Sequence, residues 1–283
     1  MHNDTPAAAR MRQRHWAQEQ GLAIDRRDYL DLVRLNLRRP LSPTALAAFR
    51  DGDGKELIGG DGRPPKMRSL ISSSALAANA FGYWDGHASL APLLEALGLP
   101  SESGTLAFER KLVIRHGWTP PNVDVVITTD SGRLVGIESK FTEWMTPTPE
   151  MPRSVARYIA PDDSCWSRVG LPRADRLARA IASGAETFEY LHVPQLLKHA
   201  LGLALEAGKT GAPWALRYVF QGATGPVADR HAEEIARFGA AVGEEVGFGA
   251  VTYLSLMQSL TADASVDRAY LRYLDARYVR DAW

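Results

Sequence analysis

The chain has 283 residues, 45% of them hydrophobic, and its 33 basic and 33 acidic side chains leave no formal net charge. That length and apolar share suit one large folded domain, or a domain with an appendage, and exclude a disordered chain; the charge balance counts against a protein that grips nucleic acid by backbone electrostatics alone. With Cys165 as the one cysteine, an intrachain disulfide and a cysteine-based zinc site are excluded and a reducing compartment is expected. The arginine-rich N-terminus has no apolar h-region and no apolar run reaches membrane-span length, so the expectation is a soluble, cytoplasmic protein.

In chain order, residues 8–39 read as helical, with Leu30, Leu32, Val33, Leu35 and Leu37 as an uneven stripe, ended by Pro40 and Pro43. Residues 44–49 read as a short helix. Asp51-Gly52-Asp53-Gly54 and Gly59-Gly60-Asp61-Gly62 follow; the first hints at calcium, but the EF-hand ligand series is missing and a plain loop is the reading. One of Ser72, Ser73 or Ser74 caps a helix through Phe81, with Leu76, Ala80 and Tyr83 or Trp84 as its buried face and Asn79 bonding a neighbouring loop or a ligand, the loop being the preferred reading. Residues 90–97 are helical, and 108–114 alternate as a strand.

The stretch Pro121–Lys140 organises the chain. Residues 123–129 and 133–141 are two β-prone runs, joined by Asp130-Ser131-Gly132 with turn chemistry. With those three residues as the loop, Thr129 faces Arg133 and Asp124 stands opposite Glu138. Glu138 and Lys140 share a face by period two, so two carboxylates and an ammonium converge on one patch. A two-residue loop would send Asp124 to the other face. Such a patch between apolar runs needs a proton, a cation or a metal between its carboxylates, and hard ions such as Mg²⁺ or Mn²⁺ take carboxylate oxygens.

Beyond the hairpin lie a proline-rich loop, Thr146–Pro152, and an arginine excess at Arg153, Arg157, Arg168, Arg173, Arg176 and Arg179, read as solvated surface. A helix begins at Asp175, and a second runs from about Thr187 to Leu205 with a kink or restart at Pro194. Residues 214–220 read as a strand buried on both faces, 228–242 as an amphipathic helix, 249–257 as a strand and 263–280 as a helix. The order is mixed α/β, a central sheet flanked by helices.

Asp124, thirteen intervening residues and Glu138-Ser139-Lys140, with that element order over residues 66–260, resemble the PD-(D/E)XK nuclease superfamily. The phrases Ser72-Ser73-Ser74-Ala75-Leu76, Phe108-Glu109, Ile137–Glu143 and Gln195–Gly202 resemble a bacterial branch of it. The resemblance implies a restriction-endonuclease-like αβββαβ core in residues 66–283, with residues 1–65 as an N-terminal helical extension and glycine-rich loop. It implies that Asp124, Glu138 and the backbone carbonyl of Ser139 bind Mg²⁺ or Mn²⁺, that Lys140 sits by the attacking water, and that Glu109 is the extra upstream acid. Gln195 and Lys198 would contact phosphate. The implied activity is phosphodiester hydrolysis in nucleic acid, DNA ahead of RNA, with a dimer open. Three features depart from the pattern: Pro121 stands three residues before Asp124, Glu109 falls on a strand, and His199 replaces the tyrosine of a Q-x-x-x-Y motif.

Lysine usage adds to this. Only six of the 33 basic residues are lysine, so Lys140 and Lys198, with compact ammonium groups of adjustable pKa, stand out from the arginines. A non-catalytic nucleic-acid- or protein-binding module on the same fold is the alternative, and a hydrolase of smaller phosphate esters is a third reading.

Overall fold

A computed structural model describes residues 5–52, 55–60, 62–148, 155–159 and 164–279; the readings at Asp53, Gly54, Asp61, Arg153 and the rest of 149–154, 160–163 and 280–283 lie outside them. The helices in chain order are α1 (Pro6–Glu19), α2 (Pro43–Asp51), α3 (Ser73–Phe81), α4 (Ala91–Ala96), α5 (Cys165–Arg168), α6 (Pro172–Ser183), α7 (Val193–Gly208), α8 (Pro226–Val246), α9 (Tyr253–Ala262) and α10 (Arg268–Leu274). A π-helical turn, Asp275–Val279, continues the last of these.

The strands β1 (Gly104–Lys111), β2 (Asn122–Thr129), β3 (Leu134–Lys140), β4 (Trp214–Phe220) and β5 (Phe248–Thr252) form one sheet in that order. The first three pair antiparallel, and β4 and β5 add in parallel. Parallel neighbours need crossovers, and α7 and α8 fall within the two connections. This is a mixed sheet flanked by helices, a restriction-endonuclease-like α/β fold. No helix among the described residues is long and apolar enough to cross a membrane.

The sheet has a core on each side. One contains α3, α4, α9 and α10 packed on Val125, Ile127, Val135, Ile137 and Val219. The other contains α6, α7 and α8 packed on Val126, Leu134, Leu216 and Tyr218. Two glycines let α7 close on the sheet: a Cβ at Gly136 would meet Leu203 Cδ1 at 2.6 Å, and one at Gly202 would meet Leu112 Cβ at 2.8 Å. Helix α3 starts as expected at Ser72, whose Oγ accepts from Ala75 N–H at 3.2 Å. It is buried from Ala75 to Phe81, however, rather than along one face. Asn79 ties the preceding loop: its Nδ2 donates to Asn36 O and Tyr278 Oη, and its Oδ1 accepts from Arg38 N–H.

Several boundaries move. The helix expected over 8–39 stops at Glu19, because Gly21 turns the chain at φ +64° and Ile24 then bridges Leu30. The strand expected at 108–114 runs 104–111. The helix expected from Thr187 begins at Val193, with Pro194 in its first turn, where no helical N–H is needed. The strand expected to Met257 ends at Thr252, whose side chain caps α9 by accepting from Ser255 N–H at 3.0 Å. The last helix begins at Arg268 rather than 263 and passes into the π turn at Asp275. Arg173 and Arg179 pair with Glu244 and Asp175, which fits the solvated-surface reading of that helix.

Candidate functional site

The three-residue hairpin loop forms as expected. Thr129 N–H donates to Arg133 O at 2.9 Å, Gly132 N–H donates to Thr129 O at 2.8 Å, and Gly132 has φ +86°. The β2–β3 register runs from Thr128 paired with Leu134 to Val125 paired with Ile137 and ends there, one residue short of Asp124 and Glu138. Asp124 Oδ2 accepts from Ser139 N–H at 2.7 Å, and Ser139 Oγ lies 2.6 Å from Tyr253 Oη at the start of α9.

The β1–β2 pair breaks its own alternation beside this point. Phe108 and Val125 pack in the α3-side core, whereas Val123, two residues from Val125, packs in the α7-side core. Residues two apart on a regular strand share a face, so the strand pair rolls over between them. The intervening residues, Glu109 and Asp124, make no ladder pair. Glu109 has φ +49°, left-handed for a residue with a Cβ, and such strain concentrates at functional positions. Its carboxylate accepts from Asn122 Nδ2.

Glu138 is 1% exposed. Lys140 Nζ forms an ion pair with its Oε1, and Nδ1 of His199 on α7 lies 3.1 Å from its Oε2. Neither contact has hydrogen-bond angles, so both oxygens of a buried carboxylate, and His199 Nδ1, are left without a hydrogen bond. Buried polar groups of this kind are costly unless something completes them. Burial opposes ionisation of Glu138, but Lys140 and His199 outweigh it and hold the carboxyl at about 2. Asp124 moves the other way: burial first, then the Glu138 charge, push it well above the usual carboxylate range. The opposed pair thus splits, Glu138 carrying charge and Asp124 keeping its proton to higher pH. Lys140 is raised, because Glu138, Asp124 and Glu143 together outweigh its burial. Glu109 is pushed up to about 7 by burial and by Glu56.

Gln195 and Lys198 lie on the first turns of α7 and are half-buried. Gln195 is four residues before His199, hence on the same helix face. The Lys198 ammonium feels the Glu138 charge. His192, which precedes α7, accepts from Gln195 N–H through Nδ1 at 3.2 Å and is held below its ordinary pKa by burial and by Lys140.

Four nearby groups were not singled out in the sequence as site residues. His199 had a signal, its i+4 spacing from Gln195 where the family motif has tyrosine. Glu143 accepts from Phe141 N–H at 2.8 Å, two residues back. His192 has no sequence signal, and neither does Glu56, which is buried at the edge of the glycine-rich loop with an unsatisfied Oε2 and pairs with Lys66.

Among the described residues no three His, Cys, Asp or Glu side chains are arranged to hold a metal by themselves. A cation here would rest on two carboxylates, a backbone carbonyl and water. The Glu138 oxygens, ion-paired but without a hydrogen bond, and an all-oxygen donor set fit a hard divalent ion of that kind.

No curated protein and no solved structure matches the chain. The family model described as "Restriction Endonuclease associating with ARP" matches residues 44–279, more than four-fifths of the chain, which therefore belongs to that restriction-endonuclease-like family.

Proposed function

We propose that this chain is a PD-(D/E)XK-type nuclease that hydrolyses phosphodiester bonds in nucleic acid, with DNA as the leading substrate, and that it depends on Mg²⁺ or Mn²⁺. The observation that carries the reading is the buried Glu138 carboxylate, ion-paired with Lys140 and His199, beside Asp124, which accepts from the N–H of the next residue, Ser139. Family membership supports it independently.

In this reading Asp124, Glu138 and the Ser139 carbonyl hold the cation, which when bound supplies charge neutralisation and Lewis acidity at the phosphate. Lys140 has a raised pKa, so its part is to donate hydrogen bonds: it orients the attacking water and offsets charge developing on phosphate oxygen. His199 orients the Glu138 carboxylate from α7. Glu109, raised to about 7 chiefly by burial, would be the proton-exchanging acid upstream of Asp124. Gln195 and Lys198 contact substrate phosphate from α7.

The test is incubation of the full chain with supercoiled, linear and single-stranded DNA in Mg²⁺ and in Mn²⁺, with Glu138→Ala as control. Cleavage by the parent and none by the variant is the expected result. Calorimetric binding of Mn²⁺ without cleavage of any nucleic acid would leave a binding module on the same fold.

A further inference from the structure

The connection from β1 to β2 carries an aromatic side chain among cations. Trp118 is half-buried there, and Tyr158 packs on it edge-on, 5.1 Å between ring centroids. The guanidinium groups of Arg115 and Arg157 lie 5.3 and 5.9 Å from the Trp118 ring centroid, and Arg157 also donates to Tyr158 Oη at 2.7 Å. The stack is open: both arginines are exposed, and both lie farther from the ring than buried Arg277 does from Trp16, at 3.9 Å. Val113, on the same connection, is 62% exposed.

Tyr158 also packs on Trp166, 5.6 Å between ring centroids, and Trp166 Nε1 donates to Leu197 O at 2.9 Å, so the turn of α7 that carries Lys198 lies against this group. Burial and the neighbouring Arg157 charge lower the Lys198 pKa, whereas Glu138 acts the other way. The next residue on α7, His199, meets Glu138, so this turn lies between the arginine cluster and the candidate catalytic carboxylate. None of Arg115, Arg157 and Lys198 has an ion pair with a carboxylate among the described residues. Arg173 and Arg179 on α6 differ, since each is matched by an acid. Like charges gathered this way repel one another, and a polyanion lying across them lowers that cost. Indole and guanidinium planes beside such a groove offer stacking to bases, and only unpaired bases have free faces to stack.

We propose that Trp118, Arg115, Arg157 and Lys198 form a track for an unpaired nucleic-acid strand, which leads over the N-terminal half of α7 to Glu138. The direction of the track rests on the nuclease reading, but strand binding can be measured without cleavage.

The experiment uses the full chain in EDTA, with a fluorescein-labelled oligothymidylate of about twelve nucleotides and a blunt duplex of the same length, followed by anisotropy. The expected result is tighter binding of the single strand, weakened about tenfold in Trp118→Ala and restored in Trp118→Phe, with duplex binding little changed. Arg157→Gln and Lys198→Gln, which spare the Trp118–Tyr158 packing, should each lower the salt slope of single-strand binding by about one. The proposal is overturned if neither oligonucleotide binds, if the duplex binds as tightly as the single strand, or if both arginine and lysine variants keep the parent's affinity and slope. Single-strand binding with these variant effects but no cleavage would sink the nuclease reading alone. Glu138-dependent cleavage with unchanged binding in all the variants would sink the track alone.

Discussion

His199 Nδ1 lies 3.1 Å from Glu138 Oε2, and both side chains are almost fully buried. A histidine from the helix layer thus meets a carboxylate from the middle of the sheet, at the point where Gly136 and Gly202 let α7 approach closely. Removing His199 leaves Glu138 with Lys140 as its remaining ion-pair partner, whereas removing both His199 and the carboxylate leaves less behind. His199→Leu should cost about 3 kcal/mol in urea denaturation at neutral pH. Adding Glu138→Gln to it should cost clearly less than the sum of the two single changes, with a coupling of about 1–3 kcal/mol. Additive losses would mean the contact carries no energy.

Asp124→Asn separates folding from function. The asparagine Oδ1 keeps the acceptor for Ser139 N–H, now 2.7 Å from Asp124 Oδ2, and the change removes a carboxyl whose ionisation burial and the Glu138 charge oppose. Stability should therefore hold or rise by about 1 kcal/mol in thermal or urea unfolding. Mn²⁺ binding by calorimetry should be lost. A variant that unfolds would make Asp124 structural, and one that binds Mn²⁺ like the parent would remove it from the site.

The sequence showed most clearly what turn chemistry decides. Asp130-Ser131-Gly132 set the hairpin register as far as the Val125–Ile137 pair, and Ser72 set the start of α3. Boundaries chosen by tertiary contacts were hidden. Thr252 reads as strand by propensity yet caps α9, and the apolar pattern before Val193 continues past the point where the helix starts. The roll of β1 and β2 at Glu109 and Asp124 has no local signature, since a positive φ at a glutamate is imposed by its surroundings. Glu56 was hidden for the same reason: only folding brings the glycine-rich loop near Glu109. His199 had the right spacing, but histidine on an apolar helix face reads equally well as core.

Glu109 makes stability depend on pH in a defined window. Its carboxyl is raised from its ordinary 4.5 to about 7 in the folded chain, chiefly by burial and then by Glu56. The folded state therefore holds a proton that the unfolded chain releases. The contribution is fully present below pH 4.5 and is lost as pH rises through 7. Glu109→Gln, which cannot ionise, should match the parent near pH 4.5 and exceed it at pH 8, by on the order of 2 kcal/mol in urea denaturation. Equal pH profiles for the two proteins would show that Glu109 titrates normally.

Lys140 is where chemistry and simple pairing separate most sharply. Its ammonium forms an ion pair with Glu138 and feels Asp124 and Glu143, so a purely structural role would be met by any cation of similar reach. Lys140→Arg would then keep function. An ammonium that orients water leaves no room for a planar fork, and the arginine variant should fail along with Lys140→Met. Loss of one such donor at the transition state is worth about 3 kcal/mol, or on the order of a hundredfold in cleavage rate. The cation should behave in the opposite way. A neighbouring positive charge opposes its binding, so Lys140→Met should bind Mn²⁺ as tightly as the parent or more tightly in calorimetry. Both results are required together: cleavage lost in both variants, with Mn²⁺ affinity kept in Lys140→Met. Full cleavage by either variant would remove Lys140 from the mechanism, and loss of Mn²⁺ binding in Lys140→Met would make its role the support of Glu138.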